Sequence, residues 1–369
     1  MTMQDKNRAF GAVISQLING NSLSRDVAYH AFQQVLNNEV SEMQQGAFLA
    51  ALTAKKETAE EIAGGWQAIF ERDTNKVVFD QELPLIDNCG TGMDTFKTFN
   101  VSTASSLIGA AGGLHVSRHG ARAISSKCGT VDIAENLGVD VECPVEIVAK
   151  SIRTTGLGLF NGMSPHVHPQ ALGRILSQIC FGSPLNIAAS LANPAKPKMA
   201  VRGVYSREML LPVAEVMREI GYSRALVVYG SIQDTDFGID EASVCGTTYG
   251  YLLDNGTITA MDFTPESAGL QCHSSEEISA KDSAATSAEH LIRLLAGREK
   301  GGAEDIVLLN SGLLFFIAGK ADSIQSGVHM AKELLASGKA MEKLKQWVTV
   351  QSRDPEQSLQ QLQVHMERV

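Results

Sequence analysis

The chain has 369 residues, 44% of them hydrophobic and 20% charged, enough apolar material for two domains or one domain with a smaller companion. Its formal net charge of −10 argues against a broad nucleic-acid or membrane surface. Six scattered cysteines (Cys89, Cys128, Cys143, Cys180, Cys245, Cys272) without a C-x-x-C pair, an N-terminus lacking a signal-peptide core, and no run of about 18 apolar residues together predict a soluble, cytoplasmic protein with reduced thiols.

Residues 8–72 read as amphipathic helices. RDVAYHAFQQVL places Val27, Ala28, Ala31, Phe32 and Val35 at helical spacing behind Ser24, a candidate cap. SEMQQGAFLAAL opens on Ser41 with Gln44 three residues on, and TAEEIAGGWQAIF opens on Thr58 with Glu61. Both patterns predict capping boxes, in which the two side chains satisfy free backbone N–H groups. No strand pattern interrupts them, so residues 1–76 are expected to form a small all-helical N-terminal domain.

Near residue 77 the composition changes. KVVFDQELPLIDNCG is extended and apolar, a glycine loop follows, and a helix of small residues starts at about residue 103. The strand candidates LHVS, RALVVYG, GTITAMDF and DIVLLN alternate with helical segments such as REMLLPVAEVMREIG and AEHLIRLLAGRE. Alternation of this kind predicts a larger α/β domain with a mainly parallel central sheet, over residues 77–164 and 196–349. PHVHPQALGRILSQICFG reads as helical, and helices around residues 165–195 are expected to complete the N-terminal domain. Residues 350–369 are polar and glutamine-rich, a surface helix or a frayed tail.

Three clusters carry chemistry. DNCGTGMDTFKTFNVST, residues 87–103, joins a strand to a helix through glycines, where converging N–H groups and the helix dipole suit an anion. Thr98, Asn100, Ser102 and Thr103 add side-chain donors, so phosphate or diphosphate fits. The loop is neither a P-loop nor a dinucleotide fingerprint. SRHGARAISSKCGT, residues 117–130, supplies Arg118, His119, Arg122, Ser125, Ser126 and Lys127, a source of positive charge for a phosphorylated ligand. In FGIDEAS, Asp240 and Glu241 follow a predicted strand, and adjacent carboxylates there suit Mg²⁺. His166 and His168 alternate like metal ligands but find no third partner, and read as loop histidines.

In order and spacing these clusters resemble the anthranilate phosphoribosyltransferase family. GTGMDTFKTFNVST stands for the family's G-T-G-G-D-G-x-x-T-F-N-I-S-T, and RHGARAISSKCGTVDIAENLGV for its K-H-G-N-R … S-S … G-S-A-D … L-E-x-L-G-V. NPAKP, RGVYS, GIDEAS and QQGAFLAALTAKKETAEEIAGG resemble further landmarks, so the likeness runs from about residue 10 to about residue 347. It implies a helical domain hinged to an α/β domain, a homodimer through the helical domains, and transfer of phosphoribosyl from phosphoribosyl pyrophosphate to an aromatic amine, as in tryptophan biosynthesis. By position, Gly90, Thr91, Gly92, Asp94, Thr98, Asn100, Ser102, Thr103, Arg118 and Ser126 would bind the donor. Ser102, Asp240 and Glu241 would hold Mg²⁺.

Departures gather on the acceptor side, around His119. The family's asparagine is Ala121, its lysine is Arg118, its third loop glycine is Met93, and the arginine expected in the helix after His168-Pro169 falls on Gln178 or Leu176. Arg174, one turn before Gln178, is the candidate substitute. The alternative reading is a homologue that binds nucleic acid or another ligand without transfer. A pyrimidine nucleoside phosphorylase is disfavoured by its different phosphate loop.

Overall fold

Three hydroxyl side chains punctuate the N-terminal part of the computed structural model, which describes residues 3–79, 83–92, 94–122 and 128–369. After α1 (Met3–Ile18), Ser24 accepts from the Val27 amide to open α2 (Arg25–Leu36), and Ser41 accepts from the Gln44 amide to open α3 (Glu42–Lys55). Thr58 accepts from the Glu61 amide to open α4 (Ala59–Arg72). The Thr58 box closes fully, because one Glu61 oxygen accepts from the Thr58 amide at 2.8 Å. The other accepts from the Leu23 amide at 2.8 Å, and Lys55 Nζ lies 3.0 Å from the carboxylate, so this buried charge is paired. The box expected at Ser41 is only half made. The Gln44 side chain instead donates through Nε2 to the Asn7 carbonyl of α1 at 2.8 Å.

β1 (Leu85–Cys89), α5 (Val101–Ala111), β2 (His115–Gly120), α6 (Thr130–Asn136), α7 (Val145–Thr155) and β3 (Leu157–Asn161) follow. The chain then returns to the helical unit through α8 (Leu172–Ile179) and α9 (Pro184–Leu191), whose Leu172, Ile175, Leu185 and Ala188 share one apolar core with Phe10, Phe32 and Phe48. The buried Asp73 carboxylate holds α8 there, accepting from the amides of Gln170, Ala171 and Leu172 at 2.6, 3.0 and 2.8 Å. An anion at a helix N-terminus satisfies N–H groups that have no partner within the helix.

β4 (Met199–Gly203), α10 (Leu210–Glu219), β5 (Arg224–Ser231), β6 (Gly238–Ile239), β7 (Thr248–Asp254) and β8 (Thr257–Ala260) complete the sheet. Its order is β3-β2-β1-β4-β5-β7-β8, with β6 paired to β5. Pairing is parallel from β3 to β5 and antiparallel beyond. Alternate strand residues serve opposite cores: Val201, Leu226 and Val228 face one, Ala200, Ala225 and Val227 the other. The chain leaves β1 towards β2 on one side and resumes at β4 on the other. The crevice beyond the carboxyl ends of β1 and β4 is therefore the topological switch point, where open α/β sheets take their ligands.

Four more helices, α11 (Ala284–Leu295), α12 (Gly302–Ile317), α13 (Ile324–Ala336) and α14 (Lys339–Val350), pack over the first core, and α15 (Pro355–Glu367) lies against them. DIVLLN, expected as a strand, lies inside α12. That helix is buried on nearly every side, so its unbroken apolar run carries no helical stripe and reads like a core strand. GTITAMDF is a strand only over its first half, as β8. The glutamine-rich end is docked. Gln351 accepts from the Leu159 amide at 2.9 Å and donates to the Leu159 carbonyl at 2.8 Å, taking the place of a neighbouring strand beside β3. It also accepts from Trp347 Nε1 at 2.8 Å. Gln351→Ala strands these buried groups and is expected to lower stability by about 2 kcal/mol or more, read from urea unfolding.

Candidate functional site

Three carboxylates meet at the switch point. Ligand oxygens of Asp94, in the loop after β1, and of Asp240 and Glu241, just after β6, all lie within 4.8 Å of one another. The Gly92 amide donates to Asp240 at 2.6 Å and the Thr98 hydroxyl to Glu241 at 3.1 Å. Lys97 Nζ donates to Asp94 at 2.7 Å and to the Gly92 carbonyl at 3.0 Å. The pocket for the acids is cut by glycine. A Cβ at Gly90 would overlap the Asp240 carboxylate, and one at Gly203, the last residue of β4, would overlap the Asp240 carbonyl.

Crowding like charges out of water favours their neutral forms. Burial, then the charge of Asp240, pushes Asp94 up to about 6. Burial, then Asp240 and Asp94, pushes Glu241 well above the ordinary range. Thr91 Oγ1 is buried in the same loop without a hydrogen-bond partner. Three hard oxygen ligands with a single lysine to offset them and an unused hydroxyl fit a divalent cation such as Mg²⁺ with a polar ligand beside it.

Beside the triad, α5 begins without a side-chain cap: Asn100 makes no capping bond, and with the Val101 and Thr103 amides taken by the Phe99 and Asn100 carbonyls it is the Ser102 amide that is left for an anion. Arg118 lies beneath. It is buried, with its Nε donating to the Asn88 carbonyl at 3.0 Å, Nη1 to Thr103 Oγ1 at 2.6 Å and Nη2 to Ser102 Oγ at 2.8 Å. Its positive charge reaches the loop through hydroxyls it holds, while its own donors are spent. Ser102, expected beside the metal, accepts from Arg118 through its hydroxyl oxygen. Asp94, expected only as a donor contact, belongs to the acid triad.

Arg118 and His119 are adjacent in sequence but face opposite sides of β2. His119 points towards α9, its Nδ1 3.3 Å from the Ser190 carbonyl and its Nε2 3.2 Å from His168 Nε2. His168 Nδ1 is 2.6 Å from the Asp73 carbonyl, which places its proton there and leaves its Nε2 an acceptor towards His119. Burial lowers both rings, His119 to about 3, so the pair is neutral at pH 7. His168, read as a loop histidine, is thus part of the site, whereas His166 is exposed.

The other expected residues fall elsewhere. Arg122 is held by Glu135 at 2.7 and 3.0 Å and by Asp132 at 3.3 Å, so its charge is compensated at the surface. Arg174 donates to Gln45 at 3.2 Å and to the Val35 carbonyl at 3.3 Å. With Gln178 it lines a cavity of about 210 Å³ between α3 and α8, beside Glu42 and Phe181. Neither residue is brought to His119. Ala121 directly follows β2, and Met93, Ser125, Ser126 and Lys127 lie outside the described residues. Sequence reasoning missed Asp87, Lys97 and Arg202. The first and last carried a signal: a single charge in each of two apolar strands, LPLIDNC and MAVRGV, is costly unless something uses it.

Profiles of the glycosyl transferase family match this chain twice, the α/β domain over residues 82–341 and the helical bundle domain over residues 12–72. The anthranilate phosphoribosyltransferase of Petrotoga mobilis is 32% identical over 339 residues, covering 92% of this chain and 96% of that protein. The Bacillus mycoides enzyme of the same name is 37% identical over 335 residues, covering 90% and 94%. Among solved structures, anthranilate phosphoribosyltransferase from Thermus thermophilus superposes with a TM-score of 0.83 at 34% identity, over 92% of this chain and 98% of that one. The Saccharomyces cerevisiae enzyme in complex with phosphoribosyl pyrophosphate and Mg shares the fold, with a TM-score of 0.81 at 23% identity over 93% and 98% of the two chains.

Proposed function

The chain belongs to the anthranilate phosphoribosyltransferase family of glycosyltransferases, and from that membership we propose that it transfers phosphoribosyl from phosphoribosyl pyrophosphate to an aromatic amine, anthranilate or a related acceptor, releasing pyrophosphate. The observation that carries the reading is the acid triad of Asp94, Asp240 and Glu241 beside the uncapped N-terminus of α5. The triad would hold Mg²⁺. When bound, the ion supplies charge neutralisation for the leaving pyrophosphate.

The chain's own groups do the remaining work. The Ser102 amide at the start of α5 and N–H groups of the loop donate to phosphate oxygens. Ser102, its oxygen already accepting from Arg118, keeps a proton to donate; Thr91 offers a hydroxyl with no other partner. Displacement at the anomeric carbon passes through an oxocarbenium-like state, so alignment of amine and donor is the main requirement. An arylamine is neutral at pH 7 and needs no strong base, in keeping with the uncharged His119–His168 pair.

In this reading residues 1–76, completed by helices around 165–195, move as a unit against the α/β body of residues 77–164 and 196–349, with residues 350–369 docked on that body. Ile18 and Met43, large apolar side chains 70% and 85% exposed on the helical unit, support a homodimer formed there. No helix among the described residues is long and apolar enough to cross a membrane, and all six cysteines are free, which agrees with a cytoplasmic setting. The test is pyrophosphate release from phosphoribosyl pyrophosphate with Mg²⁺ and a panel of aromatic amines. Release is expected with at least one amine. Absence of donor binding by calorimetry would refute the transfer reading and leave the binding-protein alternative.

A further inference from the structure

We infer that Arg202 is the residue that recognises the acceptor, receiving a carboxylate on the aromatic amine at the end of β4 in place of a helix arginine. The inference rests on the proposed transfer reaction.

Arg202 is 1% exposed, yet its guanidinium is almost unused: Nε and Nη1 have no hydrogen-bond partner, and Nη2 meets only the Ser190 hydroxyl. No carboxylate forms an ion pair with it among the described residues. Asp87, on the neighbouring strand, feels its charge, and burial pushes that carboxyl up to about 6 despite Arg202 and Arg118. Asp87 Oδ1 is likewise without a partner. A buried guanidinium with idle donors is costly, and a planar carboxylate that takes two N–H groups at once relieves it.

Its position is where an acceptor has to lie. Arg202 is registered opposite Cys89, one residue before Gly90 of the donor loop. Its side chain shares the face of the sheet that carries His119, and Ser190 of α9 touches both: the carbonyl lies against His119 and the hydroxyl against Arg202. The next residue, Gly203, rests on the Asp240 backbone. A carboxylate on Arg202 thus holds the attached ring against α9 and His119 at the end of the sheet, with the acid triad across that end on the Gly203 side. Ser190, half-buried, holds the place of a ligand oxygen and gives it up when α9 moves with the helical unit. The competing guanidinium groups are engaged: Arg118 under α5, Arg122 on Glu135, Arg174 on Gln45.

The experiment compares anthranilate with 2-aminobenzamide, its uncharged counterpart, in the unaltered protein and in Arg202→Met and Arg202→Lys, with donor binding measured separately by calorimetry. Arg202→Met is expected to raise the KM for anthranilate about ten- to a hundredfold, leave donor affinity unchanged and erase the preference over the amide. Arg202→Lys, keeping the charge without the fork, restores part of that preference. Equal losses for both acceptors, or an unchanged preference, overturn the inference while the transfer reaction stands. If the unaltered protein uses no amine, both readings fall. A measurement without any variant guards against misfolding: benzoate should inhibit competitively against the acceptor and benzamide should not, and the reverse overturns the assignment.

Discussion

Asp240→Asn combined with Glu241→Gln is expected to abolish Mg²⁺-dependent binding of phosphoribosyl pyrophosphate and to lower kcat by about a thousandfold or more. Two of the three oxygen-ligand groups lose their charge while the fold keeps its shape, since both amides are close to isosteric. Calorimetry of the donor with and without Mg²⁺ reads the effect. Retention of Mg²⁺-dependent binding would remove the triad from the mechanism. The same acids set a pH signature. In the metal-free protein Asp94 and Glu241 hold protons above the ordinary carboxylate range, so between about pH 4 and 6 the folded state binds more protons than the unfolded chain. Their contribution to stability therefore falls as pH rises through that window. Mg²⁺ displaces those protons, so its stabilising effect runs the other way, small near pH 5 and full above about pH 7. The difference in Tm with and without Mg²⁺ isolates this effect, because the buried histidines contribute equally to both curves.

Gly203→Ala is expected to damage both stability and donor binding. The new Cβ would overlap the Asp240 carbonyl, which is backbone and cannot rotate aside. Either β4 or the segment of Asp240 has to move, at about 1–3 kcal/mol or more. Gly203 is tied into the ladder through its pairing with Val228, so the acidic segment is the part that yields. Gly90→Ala makes an instructive contrast, because its Cβ meets only the Asp240 side chain. It is expected to weaken Mg²⁺-dependent donor binding with a smaller change in urea unfolding. Wild-type binding and stability in Gly203→Ala would contradict the close seating of the acids on β4.

Much of the architecture was legible because it is written in local signals. Ser24 and Thr58 cap helices as their spacing requires, and the Asp-Glu pair stands at the end of the sheet where metal chemistry was expected. What escaped depends on register and distant packing. Arg118 and His119 look like one cationic cluster in sequence, but a strand sends neighbours to opposite faces, so one supports the donor loop and the other joins His168. Arg174 matched the expected acceptor arginine by helical spacing, yet Gln45 and the Val35 carbonyl of the N-terminal helices claim it. DIVLLN was ambiguous by nature, since full burial erases the periodicity that separates helix from strand. Gln351 could not be read at all, its partner Leu159 lying 192 residues earlier.

That glutamine has a consequence for how the protein is made. Until the segment beyond α14 has left the ribosome, β3 is an open edge at the end of a parallel sheet, the kind of surface on which nascent chains stick to one another. The final closure thus arrives late in synthesis, through two hydrogen bonds from a single side chain. Chains interrupted before residue 351 should carry every residue of the acid triad and still depend on chaperones to stay in solution.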